Sequence, residues 1–266
     1  MAFVTGSAGG IGLGIACAFA NAGMRVVLTD IDEVLLEESA TALRNTGADV
    51  MAVALDVTDR DGWARAVDRV STTMGPVQLL VNNAGVSTAG MRFDEIGPEL
   101  WDRVIDINLT SVYNGVHFFL DGMRAAGGGH IVNTSSAAGL LAPAELAPYV
   151  ATKAAIIGLS ESLRLEVAES GIGVSVLCPG GVRSRLWRTS RAVRGLPDSD
   201  TPPQGRSGQT ARAAMGADEV GQRVLDAVLH DELYIMTHPE LRGPFTERNE
   251  RLLRAFDQAE QFAPQT

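Results

Sequence analysis

The sequence predicts an α/β protein with a doubly wound parallel sheet of about seven strands and helices on both faces. Short apolar runs alternate along the chain with longer segments whose apolar residues recur at helical spacing. Strands that alternate with helices pair in parallel through right-handed crossovers. The runs are apolar throughout rather than at every second position, which is typical of strands that helices cover on both faces.

Each element follows from such a run. The strands are expected at Ala2–Thr5, Arg25–Thr29, Asp49–Leu55, Leu79–Asn82, His130–Thr134, Gly173–Leu177 and Leu233–Thr237. The helices are expected at Gly12–Ala22, Ile31–Asn45, Thr58–Met74, Pro98–Asn108, Leu109–Ala126, Tyr149–Ser170, Ala217–His230 and Glu240–Phe262. Thr58 stands where it would cap the start of its helix.

The length of 266 residues suits one large domain, and we expect residues 1–266 to form it. Two regions differ from the alternating pattern. Residues 183–216 are rich in Pro and Gly and are expected to form a long mobile loop, because such a loop inside a compact domain is usually functional or mobile. This region contains seven arginines and two acidic residues, Asp198 and Asp200, so its local net charge is +5. Residues 239–262 are expected to form a helical tail.

Composition excludes several classes of protein. A net charge of −10 argues against a nucleic-acid binder, which needs a basic face. The two cysteines, Cys17 and Cys178, are isolated and predict neither a disulfide framework nor a metal site, and the four histidines show no ligand spacing. No apolar run approaches the roughly 20 residues of a membrane helix, and no basic segment at the start suggests a signal peptide. We expect a cytoplasmic protein without a metal.

A glycine-rich turn follows the first strand, at Thr5-Gly6-Ser7-Ala8-Gly9-Gly10-Ile11-Gly12. Glycines permit a tight turn and a close approach of the backbone to a phosphate, and the next helix points its free N–H groups to the same place. The turn therefore indicates a site for a dinucleotide pyrophosphate. An ordinary strand-to-helix turn is the alternative from this motif alone.

Asp30 ends the second strand, 18 residues after Gly12. An acidic residue at about this distance is placed to bind the adenosine ribose hydroxyls. A carboxylate there would repel a 2′-phosphate, and the turn itself holds no cation to offset that repulsion, so NAD is favoured over NADP. Asp32 is the rival for this role, although it more readily serves as the cap of the next helix.

Tyr149 and Lys153 lie four residues apart, on one face of a predicted helix. A nearby ammonium lowers the pKa of a phenol, which makes Tyr149 usable as a general base or acid. A solvated helix face is the ordinary explanation of such a pair. Lys153, however, is the sole lysine in a chain with 21 arginines, and an arginine cannot replace an amine that must relay a proton.

At this point the chain resembles the classical short-chain dehydrogenase/reductase family, from Thr5 to about Thr237. Six motifs carry the resemblance in the family's order: Thr5…Gly6…Gly10…Gly12, Asn82-Asn83-Ala84-Gly85, Asn108, Ser135-Ser136, Tyr149…Lys153 and Pro179-Gly180. The resemblance implies a Rossmann-like fold and a nicotinamide-dependent oxidoreductase. No single motif is decisive, but six at matching distances leave little room for chance.

The resemblance also implies the catalytic roles. Ser136 lies 13 residues before Tyr149, the separation usual in the family, and would polarise the substrate oxygen, with Ser135 as its rival. Tyr149 would exchange the proton. Lys153 would bind the nicotinamide ribose and lower the pKa of the tyrosine. Asn108 would anchor a water in a proton relay, or cap a helix.

The implied cofactor-binding set combines the glycine turn with residues that follow later strands. Its members are Gly6, Gly10, Ile11, Gly12, Asp30, Asp56, Val57, Asn82, Ala84, Gly85, Tyr149, Lys153, Pro179, Gly180, Val182 and Ser184. Two positions depart from the family's pattern. Gly9 replaces a frequent serine, and Ser184 replaces a frequent threonine.

The substrate is expected to be a bulky apolar secondary alcohol or its ketone, cyclic or aromatic. The expected pocket residues are Ser136, Leu141, Tyr149, Leu186 and Trp187. The arginines between 183 and 212 suggest an anionic substrate instead, although a run of charges is more often a solvated surface.

Two other functions stay open at this point. One is an NADPH-linked 3-oxoacyl reductase, against which Asp30 argues, and the other is a catalytically silent dinucleotide sensor, against which the intact catalytic residues argue. The resemblance further implies a homo-oligomer, a tetramer or a dimer, built through the helices at Leu109–Ala126 and Tyr149–Ser170.

Overall fold

The computed structural model of the protein describes residues 1–197, 214–260 and 262. This part of the chain contains a parallel sheet of seven strands, as predicted. The strands are β1 (Ala2–Thr5), β2 (Val26–Asp30), β3 (Val50–Ala54), β4 (Leu79–Asn82), β5 (Gly129–Thr134), β6 (Ile172–Cys178) and β7 (Tyr234–Met236). Their order in the sheet is β3-β2-β1-β4-β5-β6-β7, and every neighbouring pair is parallel.

Helices cover both faces of this sheet. They are α1 (Gly10–Asn21), α2 (Glu33–Arg44), α3 (Arg60–Met74), α4 (Pro98–Ile105), α5 (Ser111–Ala125), α6 (Ala137–Leu141), α7 (Ala147–Val167), α8 (Leu186–Val193), α9 (Ala217–Leu229) and α10 (Arg242–Glu260). On one face, α1, α2 and α9 bury Phe19, Leu36 and Val224 against the strands. On the other, α3, α5 and α7 bury Trp63, Phe119 and Leu163. Strands buried on both sides explain the unbroken apolar runs.

The order of the strands positions the site. The sequence of connections reverses between β1 and β4, so the loops after these two strands run to opposite faces and leave a crevice at their carboxyl ends. The helices α1 and α9 meet closely behind this crevice at two glycines. A Cβ at Gly14 would overlap the carbonyl oxygen of Ala217, and one at Gly221 would overlap the carbonyl oxygen of Gly14.

The structure corrects three local predictions. Asp59 rather than Thr58 caps α3, because the Asp59 side chain accepts from the N–H of Asp61, whereas the Thr58 N–H and hydroxyl donate to Asp56. Asn108 does not cap a helix either. It lies in a π-helical turn, Asp106–Thr110, that joins α4 directly to α5. By contrast, Asp32 caps α2 as expected, accepting from the N–H of Leu35 at 3.1 Å.

The third correction concerns residues 183–216, which are not irregular throughout. Residues 186–193 form helix α8. The sequence did not predict this helix because glycines and prolines follow it closely. Residues 198–213, with Arg206 and Arg212 of the predicted loop, lie outside the described residues. Among the described residues, no helix has both the length and the apolar character needed to span a membrane.

Candidate active site

A cleft of about 550 Å³ lies over the carboxyl ends of the strands. It runs from the loop after β2, past the glycine turn and the loop after β4, to α7. Its volume falls in the usual range for ligand pockets, roughly 300–1,000 Å³. Thirteen predicted site residues line it: Gly6, Gly10, Ile11, Asp30, Asp56, Val57, Ala84, Gly85, Tyr149, Lys153, Pro179, Ser184 and Leu186.

The glycine turn fits a dinucleotide pyrophosphate. Gly6 and Gly10 have φ angles of +61° and +55°, which side-chain-bearing residues rarely adopt. A Cβ on Gly6 would also lie only 2.8 Å from the Cα of Ala84. The cap of α1 is Gly9, which has no side chain to satisfy the first N–H groups of the helix. These free donors and the bare backbone form a cradle for an anion.

Asp30 and Asp32 lie side by side where the cleft passes the loop after β2. The carboxylate of Asp30 accepts from the N–H of Ala8 and from the N–H of Asp32, both at 3.1 Å. These bonds tie the end of β2 to the glycine turn. Asp32 uses one carboxylate oxygen to cap α2 and directs the other towards Arg185, 3.5 Å away.

The motif after β4 divides its two asparagines between two tasks. Asn82 points into the protein, where it donates to Asn133, and it does not line the cleft. Asn83 does line the cleft and donates to the carbonyl oxygens of Thr5 and Gly6 at 3.0 and 3.1 Å. The alternation of side chains at the end of a strand is the signal that would have favoured Asn83.

Lys153 and Tyr149 occupy the inner end of the cleft. Lys153 is 3% exposed, and its Nζ donates to the carbonyl oxygen of Thr134 at 2.8 Å. The Nζ lies 5.6 Å from the centre of the Tyr149 ring. Burial lowers the pKa of Lys153 to about 8. The lone lysine is therefore a buried ammonium whose pKa lies close to neutral pH.

The pKa of Tyr149 differs from the expectation. Burial raises it above the ordinary value of a phenol, and a hydrogen bond with Ser136 offsets only part of this rise. The predicted lowering by Lys153 is not seen, because the lost solvation of a phenolate dominates this pKa and the ammonium is not among its causes. Without a bound ligand, Tyr149 is a protonated phenol next to the Ser136 hydroxyl.

The two adjacent serines have different surroundings. Ser135 is buried, and its hydroxyl donates to the carbonyl oxygen of Lys153 at 2.6 Å, so it fixes α7 against β5. Ser136 is partly exposed, caps α6 through the N–H of Ala138, and shares a hydrogen bond with Tyr149. Ser135 lines the cleft and Ser136 does not, so the contact with Tyr149 is the observation that favours Ser136 as the residue that faces a substrate.

Asn108 braces the cleft from below. Its side chain accepts from the N–H of Val86 at 2.8 Å and donates to the carbonyl oxygen of the same residue at 2.9 Å. It also donates to Thr152 on α7 at 3.2 Å. A Cβ on Gly85 would lie 3.3 Å from Oδ1 of Asn108 and 3.5 Å from Nζ of Lys153, so both groups border the same glycine. The π-helical turn gives Asn108 this inward position.

Helix α8 forms the roof of the cleft. Its Ser190 is buried and accepts from the N–H of Ser87 at 2.7 Å, which fixes the helix to the loop after β4. Leu186 and Arg188 line the cleft. Trp187 does not line it and instead contacts Arg191, whose guanidinium lies 5.4 Å from the indole ring.

Several predicted residues lie outside the lining, and several lining residues were not predicted. Gly12, Asn82, Asn108, Ser136, Leu141, Gly180, Val182 and Trp187 are not in contact with the cleft volume. Residues that sequence reasoning missed include Asn83, Val86, Arg103, Ile107, Arg185 and Thr189. No three His, Cys, Asp or Glu side chains in the described part of the chain are grouped to hold a metal ion.

A glycine cradle, an adjacent carboxylate and Tyr149 beside the buried Lys153 lie together at a strand-order reversal, an arrangement suited to binding a dinucleotide. The model of the short chain dehydrogenase family matches residues 1–194. The chain therefore belongs to the short-chain dehydrogenase/reductase family, as its motifs predicted.

Relatives support this placement. The C alpha-dehydrogenase of Sphingobium sp. strain SYK-6 is 32% identical over 250 residues, covering 91% of this chain and 81% of that protein. The probable oxidoreductase EphD of Mycobacterium tuberculosis is 36% identical over 231 residues, 85% of this chain, and the chain spans only 38% of its length.

Two solved structures show the same fold. A short-chain dehydrogenase/reductase from Burkholderia phymatum in complex with NAD has a TM-score of 0.87 and 32% identity, covering 96% of this chain and 94% of that chain. A short-chain dehydrogenase from Sphingobium yanoikuyae in complex with NADPH has a TM-score of 0.76 and 28% identity, with coverage of 96% and 94%. Structural neighbours thus bind either nicotinamide dinucleotide.

Proposed function

We propose that the protein is an NAD-dependent dehydrogenase that interconverts a bulky apolar secondary alcohol and its ketone. The observation that carries this proposal is the inner end of the cleft, where the single lysine of the chain is buried beside Tyr149. Burying a charge costs free energy, and residues with strongly shifted pKa values cluster at functional sites. The proposal includes residues 1–266 as one catalytic domain.

Tyr149 exchanges the proton in this proposal. As a protonated phenol it donates to a ketone oxygen, and the same group accepts the proton of an alcohol in the reverse direction. Ser136 hydrogen-bonds the substrate oxygen and stabilises the charge that develops on it. A bound nicotinamide dinucleotide supplies the hydride acceptor or donor.

In this proposal Lys153 restores the protonation state of Tyr149 after each reaction. Its pKa of about 8 lets the amine bind and release a proton near neutral pH. Asn108 borders the same glycine, Gly85, and holds the loop after β4 through two hydrogen bonds to Val86. We assign Lys153 the further task of binding the nicotinamide ribose and Asn108 that of anchoring a relay water.

Asp30 favours NAD over NADP. Its carboxylate lines the cleft beside the glycine turn, where the adenosine ribose would lie, and a 2′-phosphate there would meet a like charge. Asp56 and Val57, which line the same end of the cleft, would contact the adenine. Pro179, Gly180, Val182 and Ser184 would contact the nicotinamide and the phosphates.

The apolar side chains of the cleft favour an apolar substrate. The cleft is lined by Val86, Ile107, Leu186 and Val193, among others. The similarity to a C alpha-dehydrogenase is consistent with a dehydrogenase. Arg188 also lines the cleft and keeps an anionic substrate as the second candidate. Unchanged kinetics of an Arg188→Ala, Arg191→Ala double variant on a carboxylated alcohol would exclude that candidate.

The test is initial-rate reduction of NAD⁺ and NADP⁺ across a panel of cyclic, aryl and carboxylated secondary alcohols. We expect turnover of bulky apolar alcohols with a clear preference for NAD⁺. A preference for NADPH with 3-oxoacyl substrates would establish the reductase alternative. Binding of NAD⁺ without turnover of any alcohol or ketone would leave the silent sensor.

The outer faces of two long helices bear on the oligomeric state. We propose a homo-oligomer built through α5 and α7, two long helices whose outer faces expose Tyr113 and Leu165 by 52% and 81%. Light scattering coupled to size-exclusion chromatography measures the mass directly. A monomer at micromolar concentration would contradict this assignment.

A further inference from the structure

Arg185 lies across the cleft at the point where a dinucleotide must pass. Its side chain packs over the glycine turn, with its Cδ 3.1 Å from the position of a Cβ on Gly9. Its guanidinium reaches the far side of the turn and pairs with Asp32 at 3.5 Å. The segment from Ser184 to Arg185 also contacts Gly10. The side chain therefore spans the bare backbone that forms the phosphate cradle.

Helix α8 is held at two points, one on each side of the cleft. Ser190 binds the N–H of Ser87 in the loop after β4, and this bond is buried. Arg185, which caps the start of the helix, binds Asp32 in the loop after β2. The first attachment is a buried hydrogen bond, and the second is an ion pair whose side chains are 42% and 44% exposed.

The ion pair is suited to exchange its partner. Exposed ion pairs contribute little to stability, because solvent screens them and both side chains lose freedom. A guanidinium can bind phosphate oxygens with two parallel hydrogen bonds, whereas its closest approach to the Asp32 carboxylate is 3.5 Å. Arg185 is the basic residue among the nearest neighbours of Gly9 and Gly10 in the turn.

We propose that Arg185 binds the pyrophosphate of the dinucleotide and that Asp32 is its resting partner in the free protein. On binding, the guanidinium leaves Asp32 for the phosphates and closes the start of α8 over them. On release, Asp32 takes the guanidinium back and competes with the ligand. This inference rests on the proposed function, because it places a dinucleotide in the cleft.

The test compares two ligands that differ only in phosphate, adenosine and ADP, by isothermal titration calorimetry on the full chain. The ratio of the dissociation constant of adenosine to that of ADP isolates the contribution of the phosphates, and a larger ratio means that the phosphates contribute more. Arg185→Met keeps the aliphatic length and should lower that ratio about tenfold, as expected for one charged hydrogen-bonding group. Arg191→Met on the same helix is the matched control and should leave it unchanged, because Arg191 contacts Trp187 and Pro197 outside the cleft.

Asp32→Asn supplies a test in the opposite direction. Asparagine still caps α2, so the variant removes the charge and keeps the helix start. The ratio should rise by several-fold, a gain that misfolding cannot produce. In the double variant with Arg185→Met, the effect of Asp32→Asn should vanish. Any role of Asp32 in holding the ribose would appear equally for adenosine and ADP and cancel in the ratio.

The outcomes separate this inference from the proposed function. A wild-type protein that binds neither ADP nor NAD⁺ would overturn both. A wild-type protein that binds ADP with a ratio that Arg185→Met leaves unchanged would overturn only the role of Arg185. A rise in the ratio with Asp32→Asn that persists in the double variant would show that Asp32 repels the phosphates directly and is not the resting partner.

Discussion

Lys153 is predicted to destabilise the folded protein at neutral pH, and Lys153→Met tests this. The pKa of this amine falls from 10.5 to about 8 on folding because of burial. Each unit of pKa is worth about 1.4 kcal/mol, so the protonated lysine costs the folded state about 3 kcal/mol below pH 8. Methionine fills a similar volume without a charge.

The sign of the pH dependence follows from linkage. Between pH 8 and 10.5 the unfolded chain retains the lysine proton and the folded protein does not, so the free energy of unfolding of the wild type rises with pH across this window. The variant lacks this rise. It also leaves the carbonyl oxygen of Thr134 without its hydrogen bond, a penalty of about 1–3 kcal/mol that does not change with pH.

The assay is urea unfolding followed by tryptophan fluorescence at pH 7, 8, 9 and 10, at one protein concentration. The difference in the free energy of unfolding between wild type and Lys153→Met should change by about 2–3 kcal/mol across this range, and the wild type should gain stability relative to the variant as the pH rises. Burial raises the pKa of Cys178 to about 12, so its thiol acts in the opposite direction above pH 9. Repeating both measurements in a Cys178→Ala background removes that contribution. A difference that stays constant within about 1 kcal/mol would refute the argument.

Two further predictions concern stability. Gly14→Ala should lower the free energy of unfolding by about 2–4 kcal/mol, because the new Cβ overlaps Ala217 and separates α1 from α9. Gly158→Ala on α7, where nothing lies within 4 Å, should raise it by about 0.5–1 kcal/mol. Thermal unfolding distinguishes the two variants, and equal effects would contradict the packing argument. Burial lowers the pKa of His130 to about 4, so the folded protein should lose about 3 kcal/mol as the pH falls from 6.5 to 4. His130→Gln should flatten that loss in acid unfolding measured by circular dichroism, and an unchanged profile would assign the loss to other groups.

Much of the fold was predictable because its signals are local. Apolar runs buried on both faces gave all seven strands, and the helices of both layers appear within a few residues of their predicted bounds. Helix α8 escaped because its eight residues sit among glycines, prolines and arginines, and what stabilises it is the distant contact of Ser190 with Ser87. The π-helical turn at Asn108 was missed for a similar reason, since the Asn108 side chain bonds the backbone of Val86 in the loop after β4.

The candidate site was predictable where a motif fixes the backbone. The glycine turn and the Tyr149–Lys153 pair follow from spacing along one element, and the structure brings them to one cleft. The pairing of Arg185 with Asp32 could not be predicted, because 153 positions separate them and only the fold brings them together. The raised pKa of Tyr149 was missed for the opposite reason: the sequence displays the neighbouring lysine but not the burial that raises the pKa.

The central claim is that Tyr149 exchanges the proton during hydride transfer. The measurement that tests it most directly is the rate of NAD⁺ reduction by Tyr149→Phe on the best alcohol of the panel, together with its dissociation constant for NADH. We predict a loss of about 10²–10⁴-fold in kcat with NADH affinity retained, since the ring stays and only the hydroxyl is removed. Tyr113→Phe, at an exposed tyrosine on α5, should keep the wild-type rate. Unchanged turnover by Tyr149→Phe would contradict the account.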